Sequence, residues 1–534
     1  MAKKVVNKIP SFALVDEQAP GRPSPSPTVT EPSAVNIVSL IRQDVPVGHY
    51  KALQAHMPPV RATADGSDCA DHCRVFVEIS QNGHKDLWPL YSERVADELV
   101  SWNDRMTGGD PEQFLTRSRM NQLREYIEGT SHRTADMRRV RKRLDWSPAE
   151  RAIRLDLSQP SGLVAKTTGD GWTSETPDKP MFARFATQRP APTPIRSDEG
   201  PAAFARMCPP SMSPEQRKLL LGALLGCLIP SNFTRSFGYP VIWFCGEEGS
   251  AKSSLAALVK RLIDPEVISL AAKPTRARDI YVTAQTSFML AYDNLTDVKG
   301  ISNTLCQIST GSQFVRRQGF TDTGLVVLPA HGPVILTGIA LDNLPPDLAD
   351  RMVTIKLRRL THYDPEAVER ADRDAGIVLG YLLDLLSVAL RNYETTHLAQ
   401  APRLATLARV VAAAEPFGCD TPFVDILRAA QTNDLMSTDD HSPVTDALVN
   451  LLKATPEWRG TYKQFLALLE TKAGDGANSP EWPKTPRKLS AFAKSRRRML
   501  REMGIDIEDG DKVETGRLVT VRRTATFSSD TSAA

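Results

Sequence analysis

The stretch whose reading decides the fold is "VIWFCGEEGSAKSSLAALVKRLID", residues 241–264. An apolar run ends at Cys245, a short polar loop follows, and apolar residues then recur at helical spacing. Strand, loop and helix in that order put the loop amides around an anion at a helix N-terminus. Gly246 and Lys252 stand at the spacing of a phosphate-binding loop, with Ser253 next. The cradle would run through Gly246, Glu247, Glu248, Gly249, Ser250, Ala251, Lys252, Ser253 and Ser254. Lys252 would reach the β- and γ-phosphates of a nucleotide, and the Ser253 hydroxyl would coordinate Mg²⁺. The two glutamates can point outward, because the backbone does the cradling. Ala251 stands where such loops carry glycine. Its methyl group is tolerable if the residue has already entered right-handed helical space. The alternative is a strand–helix turn with no ligand.

Further apolar runs at "VISL" (267–270), "FMLAYD" (288–293), "PVILTG" (333–338) and "MVTIKL" (352–357) predict buried strands of a mostly parallel sheet. The fold class expected is α/β, with helices alternating between those strands. "SFMLAYDN" delivers Asp293 and Asn294 to a strand's C-terminal end, where the ligand crevice of a parallel sheet lies. Asp293 would hold Mg²⁺. Asn294 can orient water but is a poor base. Thr337, polar between apolar neighbours, either senses a terminal phosphate or is satisfied by its own backbone. Arg351 precedes the last strand, where the residue by itself reads as a salt-bridge partner.

These motifs, at 246–253, 288–294 and 332–338, resemble those of superfamily 3 helicases and the related poxvirus-type primase-helicases, a branch of the AAA+ ATPases. From about residue 145 to 433 the chain is more similar still to ATP-binding proteins of bacterial mobile elements and phages. "GEEGSAKSSLAALVKRLIDP", "AYDNLTDV", "LCQISTG", "DLADRMVTIKL", Gly171–Trp172 and "APRLATLA" carry that likeness. The resemblance implies ATP and Mg²⁺ as cofactors, a ring that is expected to be hexameric, and Arg351 acting in trans. It also implies that "STGSQFVRRQGFTDTGLVVLP" (309–329) forms a hairpin touching single-stranded DNA, with Arg316 and Arg317 as contacts. Arg403 becomes a sensor-like ATP contact at the start of a lid helix.

The flanks are read from composition. With 534 residues and a formal charge of +3, the chain needs several domains and carries no global attraction for nucleic acid. Residues 1–34 are Pro/Ser-rich and 524–534 small and polar, so both are expected to be disordered tails. Residues 35–198 mix strand and helix patterns as an α+β domain of unassigned role, closed by a hairpin within 169–185. The run Arg133, Arg138, Arg139, Arg141, Lys142 and Arg143 is expected to be a solvated helix face. Asp156 stands without a second acidic residue at its strand, which gives no support to two-metal polymerase chemistry. "CADHC" (69–73) lacks a second ligand pair for zinc. Seven scattered cysteines suggest reduced thiols. There is no secretory h-region and no run long enough to span a bilayer, so a cytoplasmic location is expected. "LLLGALLGCLI" (219–229) reads as a buried helix.

After the sheet, 199–360, comes a helical lid, 361–435. A basic domain, 443–523, then shows three helices and a hairpin, the order of a winged helix. Thr485 and Pro486 look like the N-cap and first residue of its third helix. Arg487, Lys494, Arg498 and Arg501 fall within roughly a 60° sector of it, a face for duplex DNA or for solvent. Arg496 interrupts the opposite, apolar face.

Three functions compete. One is an ATP-dependent DNA helicase or replication initiator, with replication proteins as partners. Another is a nucleotide switch that loads or regulates a partner, in replication or phage defence. The last is a DNA-binding protein whose nucleotide site is structural.

Overall fold

A computed structural model describes residues 57, 59–63, 74–81, 83–110, 114–317, 325–341, 344–437, 443–479, 482–514 and 516–524. Both expected tails (bar Thr524) and the 69–73 cysteine–histidine cluster lie outside the described residues.

Two small sheets precede the phosphate-loop region. Strands β1 (Pro59–Thr63), β2 (Arg74–Gln81), β3 (His84–Pro89) and β4 (Asp136–Arg139) form the first, in the order β3-β2-β1-β4. Helices α1 (Glu93–Thr107) and α2 (Arg117–Thr134) connect β3 to β4. Each begins on a hydroxyl that accepts an otherwise orphaned amide, Ser92 for Val95 and Thr116 for Arg119. Strands β5 (Leu144–Ser147), β6 (Ala152–Asp156), β7 (Val164–Thr168) and β8 (Gly171–Glu175) make an antiparallel meander. The expected hairpin is therefore shifted: β7 pairs with β8, while Phe182 and Ala183 bridge back to Arg141 and Leu87.

The basic run is not a helix face. Only Arg133 belongs to α2; Arg138 and Arg139 lie in β4, and Arg141 and Arg143 are 8% and 1% exposed. They are inside because acidic partners are there to receive them. Arg141 donates to Asp145 at 3.1 Å, and Arg138 pairs with Glu78 at 2.5 Å.

Helices α3 (Gly200–Met207) and α4 (Pro214–Cys227) lead into the central layer. Every residue from Lys218 to Cys227 is buried, as the apolar run predicts. Then follow β9 (Val241–Gly246), α5 (Lys252–Ile263), α6 (Ala277–Thr283), β10 (Leu290–Tyr292), α7 (Ser302–Thr310), β11 (Ser312–Arg317), β12 (Leu325–Ala330), β13 (Val334–Gly338), α8 (Pro346–Ala349) and β14 (Met352–Leu357). The sheet order is β10-β13-β9-β14, all parallel. "VISL" is a correction: Val267 and Ile268 are 56% and 66% exposed, and isolated bridges flank the run where a fifth strand was expected, Glu266 antiparallel to Gln188 and Ala271 parallel to Tyr292. Side chains with no layer to cover them gain nothing from a central strand.

Helices α9 (Ala367–Asn392), α10 (Ala405–Ala414) and α11 (Phe423–Ser437) complete this layer. Trp172 of the meander donates its indole N–H to Asp384 on α9 at 2.8 Å, under the Arg196 guanidinium. On α11, Asp434 is 6% exposed and accepts the Thr354 hydroxyl of β14. Burial pushes its carboxyl up to about 6, against the opposing pull of Thr354 and Lys356. A carboxyl raised in the fold stabilises it below the unfolded value and loses that contribution as pH rises through 6. Asp434→Asn is therefore expected to flatten the stability profile between pH 4 and 6. At pH 7 it should gain up to about 3 kcal/mol, read by urea unfolding at each pH.

The final part runs α12 (Pro443–Ala454), β15 (Glu457–Thr461), α13 (Tyr462–Ala473), α14 (Pro486–Ser495), α15 (Arg497–Glu502), β16 (Ile505–Val513) and β17 (Gly516–Arg523). Strand β15, unforeseen in the sequence, pairs with β17 in the order β15-β17-β16. The expected third helix breaks into α14 and α15 at Arg496, whose guanidinium lies 4.6 Å over the Phe492 ring. Thr485 caps α14 by accepting from Lys488 at 3.2 Å, with Pro486 at its first position.

Candidate functional site

The C-terminal ends of β9, β10, β13 and β14 share one edge of the parallel sheet, because parallel strands bring like ends together. At that edge β9 releases the loop 246–251, and α5 starts at Lys252. The loop turns on three positive φ angles: Gly246 at 154°, Gly249 at 74° and Ala251 at 64°. Gly246 has no room for a side chain, since a Cβ there would lie 2.0 Å from the Leu357 carbonyl oxygen. Ala251 is left-handed, not right-handed as its tolerance required; it sits just before the helix, with the first intrahelical turn beginning one residue later. A non-glycine residue there costs about 1–2 kcal/mol. With Gly249, Ala251 brackets Ser250 between two positive-φ residues, the alternation of backbone signs from which anion-binding nests are made.

Lys252 folds its ammonium over the loop, donating to the carbonyls of Gly246 at 2.8 Å and Glu247 at 2.7 Å and to the Ser250 hydroxyl at 3.4 Å. Glu247, Glu248, Gly249, Ser253 and Ser254 are exposed, and Ser250 is buried. Ser253 donates to Asp293 Oδ1 at 2.7 Å, joining the start of α5 to the end of β10. Thr337, 1% exposed in β13, donates its proton to the same carboxylate oxygen and accepts the Asn294 amide at 3.0 Å. Its hydroxyl therefore serves residues more than forty positions away in sequence and holds Asp293 in place. Asn294 is exposed and left-handed, φ 55°. Asparagine tolerates that conformation better than glutamate does, which gives a conformational reason for an amide at this position.

This arrangement fits a magnesium nucleotide. A hydroxyl and a carboxylate on adjacent elements are hard oxygen donors, and Mg²⁺ bound with phosphates needs only one or two protein ligands. A loop of convergent amides with a lysine is a polyanion cradle.

The structure does not bring Arg351 to this edge. Arg351 precedes β14 and its carbonyl accepts the Val241 amide, at the opposite end of β9, roughly 20 Å away along a six-residue strand. It is 5% exposed, with its guanidinium on the Asp347 carboxylate at 2.6 Å. Burial alone would raise the Asp347 carboxyl, but Arg351 and, more weakly, Arg403 hold it below the usual range. Arg403, exposed, thus lies in the field of the Arg351 cluster.

Arg316 and Arg317 lie in β11, which pairs antiparallel with β12; Arg317 is exposed, and the Arg316 side chain and the tip 318–324 lie outside the described parts. Tyr281 of α6 supports this hairpin through Ser312 at 2.6 Å and the Phe314 ring at 5.4 Å. In the last part, Arg487 and Lys494 are exposed on α14 and Arg501 on α15; the Arg498 side chain is outside the described ones. The break at Arg496 divides the four between α14 and α15. Carboxylates of β16 meet them: Lys494 pairs with Asp509 at 3.3 Å, and Arg501 with Asp506 at 2.9 Å.

Sequence reasoning missed two features. One is a buried ion cluster behind the site. Arg143 donates to the Ile263 carbonyl at 2.9 Å, while Arg184 joins Asp86 (2.9 Å) to Asp156. Lys260 donates to Asp264 (2.9 Å), Glu266 (2.6 Å) and the Met289 carbonyl (2.6 Å). The i, i+4 spacing of Lys260 and Asp264 was the only local signal. The other is Arg359, beside Gly249.

Among known families, residues 204–433 match the model described as actinomycete integrative conjugative element replication protein. Residues 444–532 match that of the AICE RepA C-terminal domain. No curated protein matches the chain. Similar solved structures include the active helicase Cch of SCCmec type IV, at 10% identity and a TM-score of 0.46, covering 88% of this chain and 93% of that one. The NrS-1 C-terminal region is similar at 10% identity and 0.36, over 89% of this chain and 99% of that one. JCV helicase is similar at 17% identity and 0.21, over 45% and 63%.

Proposed function

We propose that this chain is a replication protein of a mobile element, working as a Mg-ATP-dependent DNA helicase or replication initiator. The observation that carries the reading is the meeting of Ser253, Asp293, Thr337 and Asn294 beside a positive-φ phosphate loop. The family matches supply the replication context. In this reading 199–360 is an AAA+ core of superfamily 3 type, 361–435 its helical lid and 443–523 a winged-helix DNA-binding domain. The order α12-β15-α13-α14-α15-β16-β17 is compatible with that last assignment.

Loop amides and Lys252 would hold the phosphates, and Ser253 and Asp293 the Mg²⁺. Thr337 fixes the rotamer of Asp293. Asn294, at the crevice mouth, would orient the attacking water. The cofactor supplies the phosphoryl-transfer chemistry; the chain supplies position and charge. Work on DNA would need a ring, expected to be a hexamer, with Arg351 released from Asp347 toward a neighbour's nucleotide. The 312–330 hairpin, through Arg316 and Arg317, would contact a single strand. Arg487, Lys494, Arg498 and Arg501 would contact duplex. No helix among the described residues is long and apolar enough to cross a membrane.

A nucleotide switch is the second reading, favoured by the inward engagement of Arg351 on Asp347. A forked-DNA unwinding assay with the full chain, ATP and Mg²⁺ separates the two. Strand separation is expected; a ring that hydrolyses ATP and leaves the fork paired would sink the helicase reading.

A further inference from the structure

The edge of the phosphate loop that faces β14 carries a cation with no role so far. Register pairs Leu357 with Gly246, and the Leu360 amide then donates to the Gly249 carbonyl at 3.0 Å. The chain 357–360 is thereby laid along 246–249 by backbone contacts alone, so its position does not depend on any flexible side chain. Within it Arg359 extends over the loop. Its Cγ and Nε both lie 3.9 Å from where a Gly249 Cβ would stand. Arg359 is exposed, and no described residue makes a hydrogen bond or ion pair with its guanidinium. Arg358, also exposed, is anchored differently, through its carbonyl to Ser211 at 3.4 Å.

The charge balance of the loop gives this placement a purpose. Glu247 and Glu248 put two exposed carboxylates at the rim where a polyphosphate would enter, and Lys252 is the loop's own cation. A second cation at Gly249 offsets that repulsion. A guanidinium does so with a planar fork matched to phosphate oxygens.

We propose that Arg359 is a nucleotide-binding residue acting in its own subunit, contacting the phosphates of the bound nucleotide from the β14 side. The role would stand beside the one that the family resemblance implied for Arg403. The inference rests on the reading of 246–253 as a nucleotide site.

Equilibrium binding of ADP and of a non-hydrolysable ATP analogue to the full chain tests both separately. Arg359→Ala is expected to weaken the analogue about tenfold, with thermal melting of the nucleotide-free protein unchanged. Arg359→Lys should recover only part of the loss, because an ammonium lacks the fork. Arg358→Ala should bind as wild type. If wild type binds, Lys252→Ala does not, and Arg359→Ala matches wild type, the Arg359 assignment falls while the site stands. A melting loss that accounts for the weakened binding makes Arg359 a loop support and also overturns it. If wild type binds neither nucleotide, the site reading itself falls.

Discussion

Lys252→Ala is expected to weaken Mg-ATP binding by at least about a hundredfold, two charge-assisted hydrogen bonds to phosphate contributing roughly 1.5–3 kcal/mol each. If the chain works as proposed, ATP hydrolysis and strand separation should fall below detection. The folded protein should be nearly unaffected, because among the described residues the ammonium donates only to the carbonyls of Gly246 and Glu247 and to the Ser250 hydroxyl. The Gly246 and Ser250 acceptors are partly or fully buried and the Glu247 carbonyl is open to water. Duplex DNA binding should also survive, since the basic residues of α14 and α15 belong to another part of the chain. Nucleotide titration, a melting curve and a duplex shift assay on one preparation check all three. A variant that still turns over ATP would remove Lys252 from the site.

The second large effect is on stability. Asp264→Ala is expected to cost about 3–5 kcal/mol, the penalty for breaking a buried ion pair from one side. The Asp264 carboxylate is 1% exposed and accepts from Lys260 at 2.9 Å and from the Phe288 and Met289 amides at 3.0 and 2.9 Å. Arg143 approaches its other oxygen at 3.9 Å. Burial alone would raise this carboxyl; Lys260 and Arg143 outweigh it and hold it below the usual range. Its contribution is therefore present near neutral pH and lost as pH falls through the depressed folded value. Removing it strands two amides just before β10, the strand that delivers Asp293. Nucleotide affinity should then drop along with the urea midpoint. A loss below about 1 kcal/mol would show that the cluster is dispensable.

Much of the candidate site is legible along the chain, because its parts are local. A strand, a loop at fixed spacing and a helix are encoded within the single stretch 241–263, and an apolar run ending in Asp293 and Asn294 lies within 288–294. The same holds for the buried helix α4 and for the Thr485–Pro486 start of α14. Readings that extended a local pattern beyond its reach fared worse. Helical spacing through 486–503 does not show the break at Arg496, and a basic run on its own does not show Glu78, Asp145 or Asp156, which come from other strands or turns to meet it. "VISL" has strand composition but no covering layer.

The sequence by itself determined which residue types stand at the phosphate loop and at the strand ends, since those depend on neighbours a few positions away. Only the tertiary structure decided their company. It put Ala251 in left-handed space and gave the Thr337 hydroxyl to Asp293. It held Arg351 at the far end of the sheet and laid Arg359 along Gly249. The reason is geometric. Strand order, not chain order, sets which ends meet, and β9 lies between β13 and β14, whose residues come roughly ninety to a hundred and ten positions later in sequence.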